Sequence, residues 1–375
     1  MNVRSSRRVF LKSAGAIGMG ATAHRLVQAA PAKKAGDNAR SDIRNYKSTM
    51  RYREVGTTGI HVSAFSLGTG STNKDVVKAS LDSGINLLHA STRYMGGKSI
   101  KIVGEVLNGK TDKVHIALKD NFSSIEEALK MLGVNYVDFI MFNRHNAEQF
   151  QSELPQIKKQ YLTWKDKGLV KHAGLTTHGQ MAACVDLAIE AGFFACVMPT
   201  FGPAQFRELK KQRDALRTKK MSIIGMKTKG GLESDKYPQQ IKTVLADTAV
   251  CTVNKGVSTI DDLKAWSAAG AEVKTGFWNR TTDDRLVRAD ELHGCILCGT
   301  CTDACPKQLR VSDVIRCTQY YHDAEKTPRT AAWEFKDLAC SECLDACDDC
   351  GECERACPQH IDIRAELLRA RTLWS

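Results

Sequence analysis

Eight cysteines in the last quarter of the chain repeat one spacing twice, and proline follows each run. Both runs read C-x2-C-x2-C-x3-C-P. Their cysteines are Cys295, Cys298, Cys301 and Cys305, then Cys347, Cys350, Cys353 and Cys357. Thiolates at this spacing hold [4Fe–4S] clusters, because three sulfurs on a tight loop reach three irons of one cube. The duplicated run therefore predicts two [4Fe–4S] clusters, with zinc or disulfides as the alternatives.

The fourth cysteine of each run is predicted to serve the cluster of the other run. The expected sets are Cys295, Cys298, Cys301 and Cys357 on one cluster and Cys305, Cys347, Cys350 and Cys353 on the other. Gly299 and Gly351 stand at matching positions, where the backbone must wrap closely around a sulfide. The runs resemble those of bacterial two-cluster ferredoxins. They predict a small α-rich, ferredoxin-like domain over residues 291–375, with its clusters within electron-tunnelling distance.

The remaining cysteines carry weaker predictions. Cys340 and Cys343 form another C-x2-C, for which a disulfide or a spectator role is favoured over cluster ligation. Cys317 falls on an apolar helical pattern and is expected in a core. Small buried hydrophobic roles are expected for Cys184, Cys196 and Cys251.

Short apolar runs alternate with helical patterns between residues 50 and 270. Eight such units predict a (β/α)8 TIM barrel, with a doubly wound sheet as the competing α/β arrangement. A capping box at Ser123 and Glu126 is predicted to start one helix. The predicted strands are 61–67, 85–90, 114–119, 137–143, 171–176, 194–199, 222–227 and 249–253.

Several segments of this predicted barrel resemble the aldo/keto reductase family. They are Arg51-Tyr52-Arg53 with Gly56, Thr58-Gly59, Val62-Ser63 and Leu67-Gly68, then Gly84-Ile85-Asn86 with Tyr94, and LKMLGVNYVD from Leu129 to Asp138. Met226-Lys227 with Gly230-Gly231 is similar to the subfamily that carries an appended ferredoxin domain. The resemblance covers roughly residues 50–265. It implies carbonyl reduction with NADPH at the C-terminal mouth of the barrel.

The family's four catalytic positions carry over in part. Tyr94 matches the tyrosine acid, and Lys119 matches the lysine that lowers the pKa of that tyrosine. His89 stands at the aspartate position and Asn143 at the histidine position, with His145 two residues beyond. Neutral His89 lacks the charge of a carboxylate, and Asn143 donates a hydrogen bond without exchanging a proton near pH 7. The alternative is a barrel that has lost reductase chemistry.

Four residues are predicted to bind the cofactor. Thr176 and Thr177 match positions that contact the nicotinamide in the family. Gly256 and Ser258 follow the last predicted strand, and Ser258 with Asp261 is expected to cap a helix whose N-terminus holds a phosphate. A capped helix without a ligand is the alternative. The resemblance thus implies NADP(H), while the residues leave NADP(H) binding open, because the family's adenine-binding pair is not evident.

The N-terminus reads Ser-Arg-Arg-Val-Phe-Leu-Lys from Ser6, followed by a weakly apolar stretch rich in glycine and alanine. This pattern predicts a twin-arginine signal over residues 1–30 and a polar linker over 31–49; an amphipathic basic helix and an uncleaved anchor are the alternatives. An export route for folded protein lets clusters be inserted before the chain meets the oxidising periplasm. A periplasmic location is therefore expected, with the translocation machinery as a partner during export.

The formal net charge of +12 does not by itself indicate a nucleic-acid partner. Five of the basic residues lie within the first 30 positions, and eight cluster thiolates offset more of the charge. The sequence shows neither a basic–aromatic stripe nor an apolar run of membrane-spanning length. Neither nucleic acid nor a transmembrane segment is predicted.

Two functions fit these residues. The first is an exported iron–sulfur oxidoreductase whose barrel, residues 50–270, binds a small-molecule substrate at its mouth. Electrons then pass through the two clusters, beyond a linker at 271–290. The second is an electron-transfer module, in which a catalytically degenerate barrel is a docking scaffold for a redox protein partner.

Overall fold

The computed structural model describes residues 42–230, 232, 235–272, 294–322 and 328–374. The signal peptide, the first part of the linker 31–49 and most of the linker 271–290 lie outside the described residues and stay predictions. Within the described part of the chain, no helix is long and apolar enough to cross a membrane.

Eight parallel strands close into a barrel, as the alternating pattern predicts, and the doubly wound alternative is wrong. Each strand pairs with its neighbours in sequence, and the last pairs with the first through Val253↔Phe65 and Gly256↔Gly68. An antiparallel pair, β1 (Tyr52–Glu54) and β2 (His61–Ser63), precedes the barrel. The barrel strands are β3 (Phe65–Gly68), β4 (Leu87–Ala90), β5 (His115–Lys119), β6 (Val137–Asn143), β7 (Val170–Thr177), β8 (Phe194–Pro199), β9 (Ser222–Met226) and β10 (Val250–Gly256).

The first predicted strand, 61–67, is divided in two, which corrects the sequence prediction. The break falls at Ala64, next to Ser63, whose N–H donates to Asn86 Oδ1 at 2.7 Å and whose hydroxyl donates to the Phe65 carbonyl at 2.6 Å. The segment up to Ser63 pairs with β1, and the segment from Phe65 enters the barrel. Val55 and Val62 from this hairpin are fully buried against the barrel interior.

The alternation of side chains along the strands decides which residues reach the mouth of the barrel. Leu87 of β4, Ala117 of β5 and Met141 of β6 belong to one interior cluster. Since successive strand residues face opposite sides, the residues two positions later also point inward. Those residues are His89, Lys119 and Asn143. The strand pattern therefore brings three of the predicted catalytic residues to the C-terminal end of the barrel interior.

Helices surround the barrel and pack on the outward faces of its strands in the main hydrophobic core. They are α1 (Lys74–Asp82), α2 (Lys98–Leu107), α3 (Ile125–Leu132), α4 (Ala147–Asp166), α5 (Met181–Ala191), α6 (Pro203–Glu208), α7 (Lys210–Lys219), α8 (Tyr237–Ala246) and α9 (Ile260–Ala271).

The helix caps lie one residue later than predicted. Helix α3 is capped by Ser124, whose side chain accepts from the Glu127 N–H, rather than by Ser123 with Glu126. Helix α9 is capped by Thr259, which accepts from the Asp262 N–H, rather than by Ser258. In both cases the next residue is also a hydroxyl residue followed three positions later by an acid. The helix begins one residue later than predicted and is capped by this second pair.

The C-terminal segment is helical and has a core of its own. Val314, Ile315, Phe335 and Ile363 pack there with several of the cysteines. The Phe335 ring stacks on Trp374 with centroids 4.2 Å apart. The helices are α10 (Thr300–Asp303), α11 (Val311–His322), α12 (Pro328–Asp337), α13 (Cys340–Ala346), α14 (Glu352–Arg355) and α15 (Ile363–Trp374).

The two cysteine runs repeat one backbone conformation. Gly299 and Gly351 have φ of 86° and 76°, and each precedes a four-residue helix, α10 or α14. Matching non-glycine residues also have positive φ, namely Leu297 with Asp349 and Gln308 with His360. Positive φ is costly for such residues, so its recurrence at equivalent positions means that both runs form the same loop.

Candidate functional site

A cavity of about 580 Å³ lies at the C-terminal end of the barrel. Its floor is formed by the strand ends and includes His89, Lys119 and Asn143. Helices α11 and α12 lie across it and are called the roof from here on; the roof contributes Arg316 and Glu334. The barrel mouth is the usual position for the active site of a TIM barrel, and here the C-terminal segment covers it.

All five residues predicted to be catalytic line this cavity: Tyr94, Lys119, His89, Asn143 and His145. Tyr94 begins a short 3-10 turn after β4, and its ring meets the His89 ring edge-on with centroids 5.9 Å apart. The side-chain atoms His89 Nε2 and Asn143 Oδ1 are buried without a hydrogen-bond partner among the described residues. A buried polar atom without a partner costs free energy, so these two atoms favour a ligand in the cavity.

Only one of the four residues predicted to bind the cofactor lines the cavity. Gly256 lines the cavity, whereas Thr176, Thr177 and Ser258 are not among its lining residues. The Thr177 hydroxyl donates to the Gly179 carbonyl at 2.8 Å, and the Ser258 carbonyl accepts from the Asn73 amide at 3.1 Å. Thr176 is buried, and its hydroxyl lacks a partner within the described chain. The geometry therefore brings the five catalytic candidates together but does not assemble the cofactor set.

Lys119 brings a positive charge to the floor of the cavity. Lys119 is 9% exposed and forms neither a hydrogen bond nor a salt bridge with any described residue. Burial, together with the Arg316 guanidinium, lowers the pKa of Lys119 to about 8. Burial, with the Lys119 charge, lowers the pKa of His89 to about 3, so the His89 imidazole is neutral.

Lys119→Met is expected to remove a pH dependence of stability. Between pH about 8 and the ordinary lysine pKa of 10.5, the native state holds fewer protons than the unfolded chain. Wild-type stability therefore rises with pH across that window, and the cost of the buried charge is fully present below it. In urea unfolding, Lys119→Met should be more stable than wild type at pH 7 and should differ less from it at pH 10. Equal gains at both pH values would contradict this assignment; exposed Lys101→Met is the control.

Two histidines and a lysine form a chain along the cavity wall. The Lys227 ammonium lies 3.1 Å from His178 Nδ1, and Thr200 Oγ1 lies 3.2 Å from the same nitrogen. The His178 backbone N–H donates to His145 Nδ1 at 2.9 Å. Because Nδ1 of His145 accepts, its proton sits on Nε2 when the ring is neutral. Burial lowers the pKa of His145 to about 3, which keeps that ring neutral.

A buried ion-pair group holds the roof in place. Arg316 binds Asp313 at 2.8 Å on its own helix and Glu334 of α12 at 2.6 Å. The Arg316 side chain is 7% exposed. The Arg316 and Lys227 charges help to lower the pKa of Asp313 to about 2, which outweighs the effect of its burial. The group joins α11 to α12 directly above the cavity.

Gly96 allows the roof to approach the barrel. Its φ is +57°, and a Cβ built on it would lie 1.9 Å from Cζ2 of Trp333. Beside it, Arg93 and Asp337 form a salt bridge of 2.8 Å. The turn that carries Tyr94 is therefore packed directly against α12.

Gly96→Ala is expected to displace the roof. The methyl group would collide with a rigid indole ring, in addition to the cost of a left-handed backbone, which is about 1–2 kcal/mol. Gly109→Ala is the matched control, because Gly109 has φ of +75° and nothing within 4 Å of its Cβ position. Thermal unfolding and near-UV circular dichroism should show a larger loss and a changed tryptophan environment for Gly96→Ala only. Equal effects of the two variants would contradict the packing argument.

The cysteines gather at two further cavities. One is lined by Cys295, Cys298, Cys301 and Cys357, and the other by Cys305, Cys347, Cys350 and Cys353 together with Cys343. All are free thiols. Among the described residues, no group of three or more His, Cys, Asp or Glu side chains is close enough to hold a single metal ion. The lining of the two cavities therefore places Cys357 with the cysteines of the first run and Cys305 with those of the second run.

The additional cysteines are also free, so the disulfide alternative for Cys340 and Cys343 is not formed. Cys340 is fully buried and packs in the same core as Cys317. Cys343 faces the second sulfur cavity and accepts the Arg310 N–H at 3.2 Å. Cys184, Cys196 and Cys251 are buried in the barrel, as expected.

The barrel is similar to proteins of one family. No family model matches the chain. Aldo-keto reductase YhdN of Bacillus subtilis is 29% identical over 120 residues, which is 24% of this chain and 36% of that protein. The chain thus spans about a third of the length of this curated relative.

Solved structures agree on the fold. The holo form of aldo-keto reductase AKR11C1 from Bacillus halodurans superposes with a TM-score of 0.51 and 16% identity, covering 64% of this chain and 94% of that one. A protein of Pseudomonas aeruginosa described as an aldo-keto reductase superposes with a TM-score of 0.51 and 21% identity, covering 59% of this chain and 94% of that one. The chain therefore has the barrel fold of the aldo-keto reductases.

The sequence did not point to the roof. Arg316, Asp313 and Glu334 were not among the predicted site residues, although Asp313 and Arg316 stand three positions apart on an otherwise apolar helical pattern. A charged pair on such a face is the signal that was available. Its meaning depends on Glu334 and on the position of the barrel, neither of which a local pattern reveals.

Proposed function

We propose that this chain is an exported iron–sulfur oxidoreductase of the aldo-keto reductase type, with its substrate in the barrel cavity and its electrons passing through two [4Fe–4S] clusters. The observation that carries the proposal is the crossed grouping of the cysteines, in which Cys357 lies with the first run and Cys305 with the second. Crossed ligation is what two-cluster ferredoxin runs require. The twin-arginine signal supports export to the periplasm.

Hydrogen-bond donors beside the cysteine sulfurs of the first run also fit a bound cluster. The Leu297 N–H donates to Cys295 Sγ at 3.4 Å, and the Thr300 hydroxyl donates to Cys298 Sγ at 3.2 Å. Hydrogen bonds to cysteine sulfurs tune the reduction potential of a bound cluster. When bound, such clusters supply or accept electrons one at a time. The eight cysteines of the two runs are the ligands we propose.

The position of the first sulfur cavity supports coupling to the barrel. Leu297, between Cys295 and Cys298, lines the barrel cavity. Ile296 packs against Leu232 of the barrel, and a Cβ built on Gly299 would lie 3.7 Å from the His178 carbonyl oxygen. One polypeptide layer therefore separates these cysteines from the substrate cavity.

The barrel residues suit substrate orientation and place one proton donor at the cavity. The Tyr94 phenol stays protonated at neutral pH, because burial and the Glu334 carboxylate raise its pKa, and the same shift makes it a weak acid toward a reduced substrate. Asn143 can orient a substrate oxygen through its amide. Lys119 places a positive charge where negative charge develops as the substrate is reduced.

The proposal is tested by titrating anaerobically purified protein with NADPH and with NADH while visible absorption and EPR report cluster reduction. Dithionite is the control for reducibility. Bleaching by a nicotinamide at catalytic rates would support an active barrel that exchanges electrons with the clusters. Reduction by dithionite alone would remove the nicotinamide-dependent reductase and leave a periplasmic protein donor.

An electron-transfer module with a degenerate barrel is the second candidate, and one observation favours it. His89 replaces a carboxylate, so Lys119 has no acid in salt-bridge contact, and burial leaves the Tyr94 pKa raised rather than lowered. The basic side chains near the cysteine runs give this candidate little support as a docking surface for an acidic partner, because two of them are already paired with acids. Lys307 is paired with Asp348 at 3.0 Å, and Arg355 is paired with Glu352.

A further inference from the structure

The barrel cavity has a surplus of positive charge in its floor. Lys119 and Lys227 both reach it, and neither forms a salt bridge with any described residue. The acids of the roof are already bound to arginines: Asp313 and Glu334 hold Arg316, and Arg310 reaches Asp313 at 4.0 Å. Two ammonium groups without a counter-ion in contact, one on buried Lys119 and one on half-buried Lys227, are costly in an enclosed space.

Lys227 is held in an unfavourable backbone conformation as well. It follows β9 with φ of +52°, in the left-handed region that a non-glycine residue rarely adopts. Its ammonium is fixed by His178 Nδ1 at 3.1 Å, and His178 is fixed in turn by Thr200. Strain that surrounding structure maintains at the wall of a cavity is typical of a binding position.

From these observations we propose that the cavity binds a substrate carrying a carboxylate next to a carbonyl group, with the carboxylate on Lys227. The carbonyl oxygen then lies toward Lys119, with His89 Nε2, which can donate a hydrogen bond, beside it. The substrate class is that of the 2-oxo acids. The inference rests on the proposed function, because it names the substrate class of the same cavity.

A phosphate is the other anion that such lysines bind, and a nicotinamide dinucleotide would bring one. The two sources differ in what they need. A 2-oxo acid needs a cation for its carboxylate and a donor for its carbonyl oxygen, and Lys227 and Lys119 both line the cavity. A dinucleotide also needs the predicted cofactor residues, of which Thr177 is engaged with Gly179 and Ser258 lies outside the cavity lining.

The experiment measures binding without turnover, on the full holoprotein, by calorimetry. The probes are oxamate, its uncharged ester ethyl oxamate, and inorganic pyrophosphate. We expect oxamate to bind at least about tenfold more tightly than ethyl oxamate and pyrophosphate, since a charge-assisted hydrogen bond is lost in the ester. Equal binding of oxamate and its ester, or tight binding of pyrophosphate alone, would overturn the proposal.

Substitutions at Lys227 separate binding from structure. Lys227→Met should weaken oxamate binding at least about tenfold and raise the melting temperature of the ligand-free protein, because it removes a half-buried charge that has no counter-ion in contact. Lys227→Gln keeps a donor to His178 without the charge, so it should lose oxamate affinity even if the methionine variant folds poorly. Exposed Lys101→Met should change neither quantity. Unchanged oxamate affinity in both Lys227 variants would overturn the proposal.

The binding experiment and the nicotinamide titration test the substrate class and the electron donor separately. If the nicotinamide titration gives no cluster reduction while oxamate still binds through Lys227, a nicotinamide is not the electron donor and the substrate class stands. If NADPH reduces the clusters but oxamate does not bind, the nicotinamide-dependent electron route stands and the 2-oxo acid substrate class is wrong.

Discussion

Cys357→Ala is expected to remove the cluster shared with Cys295, Cys298 and Cys301 and to leave the other one in place. The reason is spatial, since Cys357 lines the cavity of the first run although it closes the second run in sequence. Iron per chain should fall by about half, because each cluster holds four irons.

Double variants then identify the cluster that is lost. Cys357→Ala combined with Cys295→Ala should lose no more iron than either single variant. Cys357→Ala combined with Cys347→Ala should lose nearly all of it. The opposite pattern would mean that each run serves its own cluster and would contradict the crossed assignment. Cys184→Ala is the control for the loss of a buried thiol outside the runs.

Arg316→Met is expected to destabilise the C-terminal segment strongly. It leaves Asp313 and Glu334 in the roof without the guanidinium that binds both of them. Removing one partner from a fully buried ion pair costs about 3–5 kcal/mol, and the loss here should lie toward the lower end, because Asp313 and Glu334 are 19% and 20% exposed. Chemical unfolding should show this loss, together with exposure of Trp333 above the barrel cavity.

Arg310→Met is the matched control for Arg316→Met. Arg310 also faces Asp313, at 4.0 Å, but its side chain is 45% exposed. An exposed pair of this kind contributes about 0–1 kcal/mol. Similar losses for the two variants would show that the roof is not held by the buried group.

The barrel was predictable because strand patterning is local. The run 137–143 is mainly apolar, with Asp138 as an exception and Asn143 at its end, and β6 (Val137–Asn143) occupies that range. Alternation along β4 to β6 also determines that His89, Lys119 and Asn143 face inward together. The first strand was misjudged at the break after Ser63, where Ser63 is bonded to Asn86, which lies 23 residues away in sequence.

The functional site was predictable only on its barrel side. Tyr94 and His145 follow strands, so their place at the barrel mouth comes from the fold itself. The roof depends on contacts that join distant parts of the chain, such as Gly96 with Trp333 and Arg93 with Asp337. No spacing or periodicity in the sequence indicates such contacts. The cysteine runs are the opposite case, because their spacing alone predicts the crossed sets.

The central claim is most directly tested by measuring iron, acid-labile sulfide and zinc in anaerobically purified protein, with an EPR spectrum after dithionite reduction. The account predicts about eight irons and eight sulfides per chain, and a spectrum broadened by two neighbouring reduced clusters. Stoichiometric zinc without sulfide, or disulfides with no iron, would contradict it.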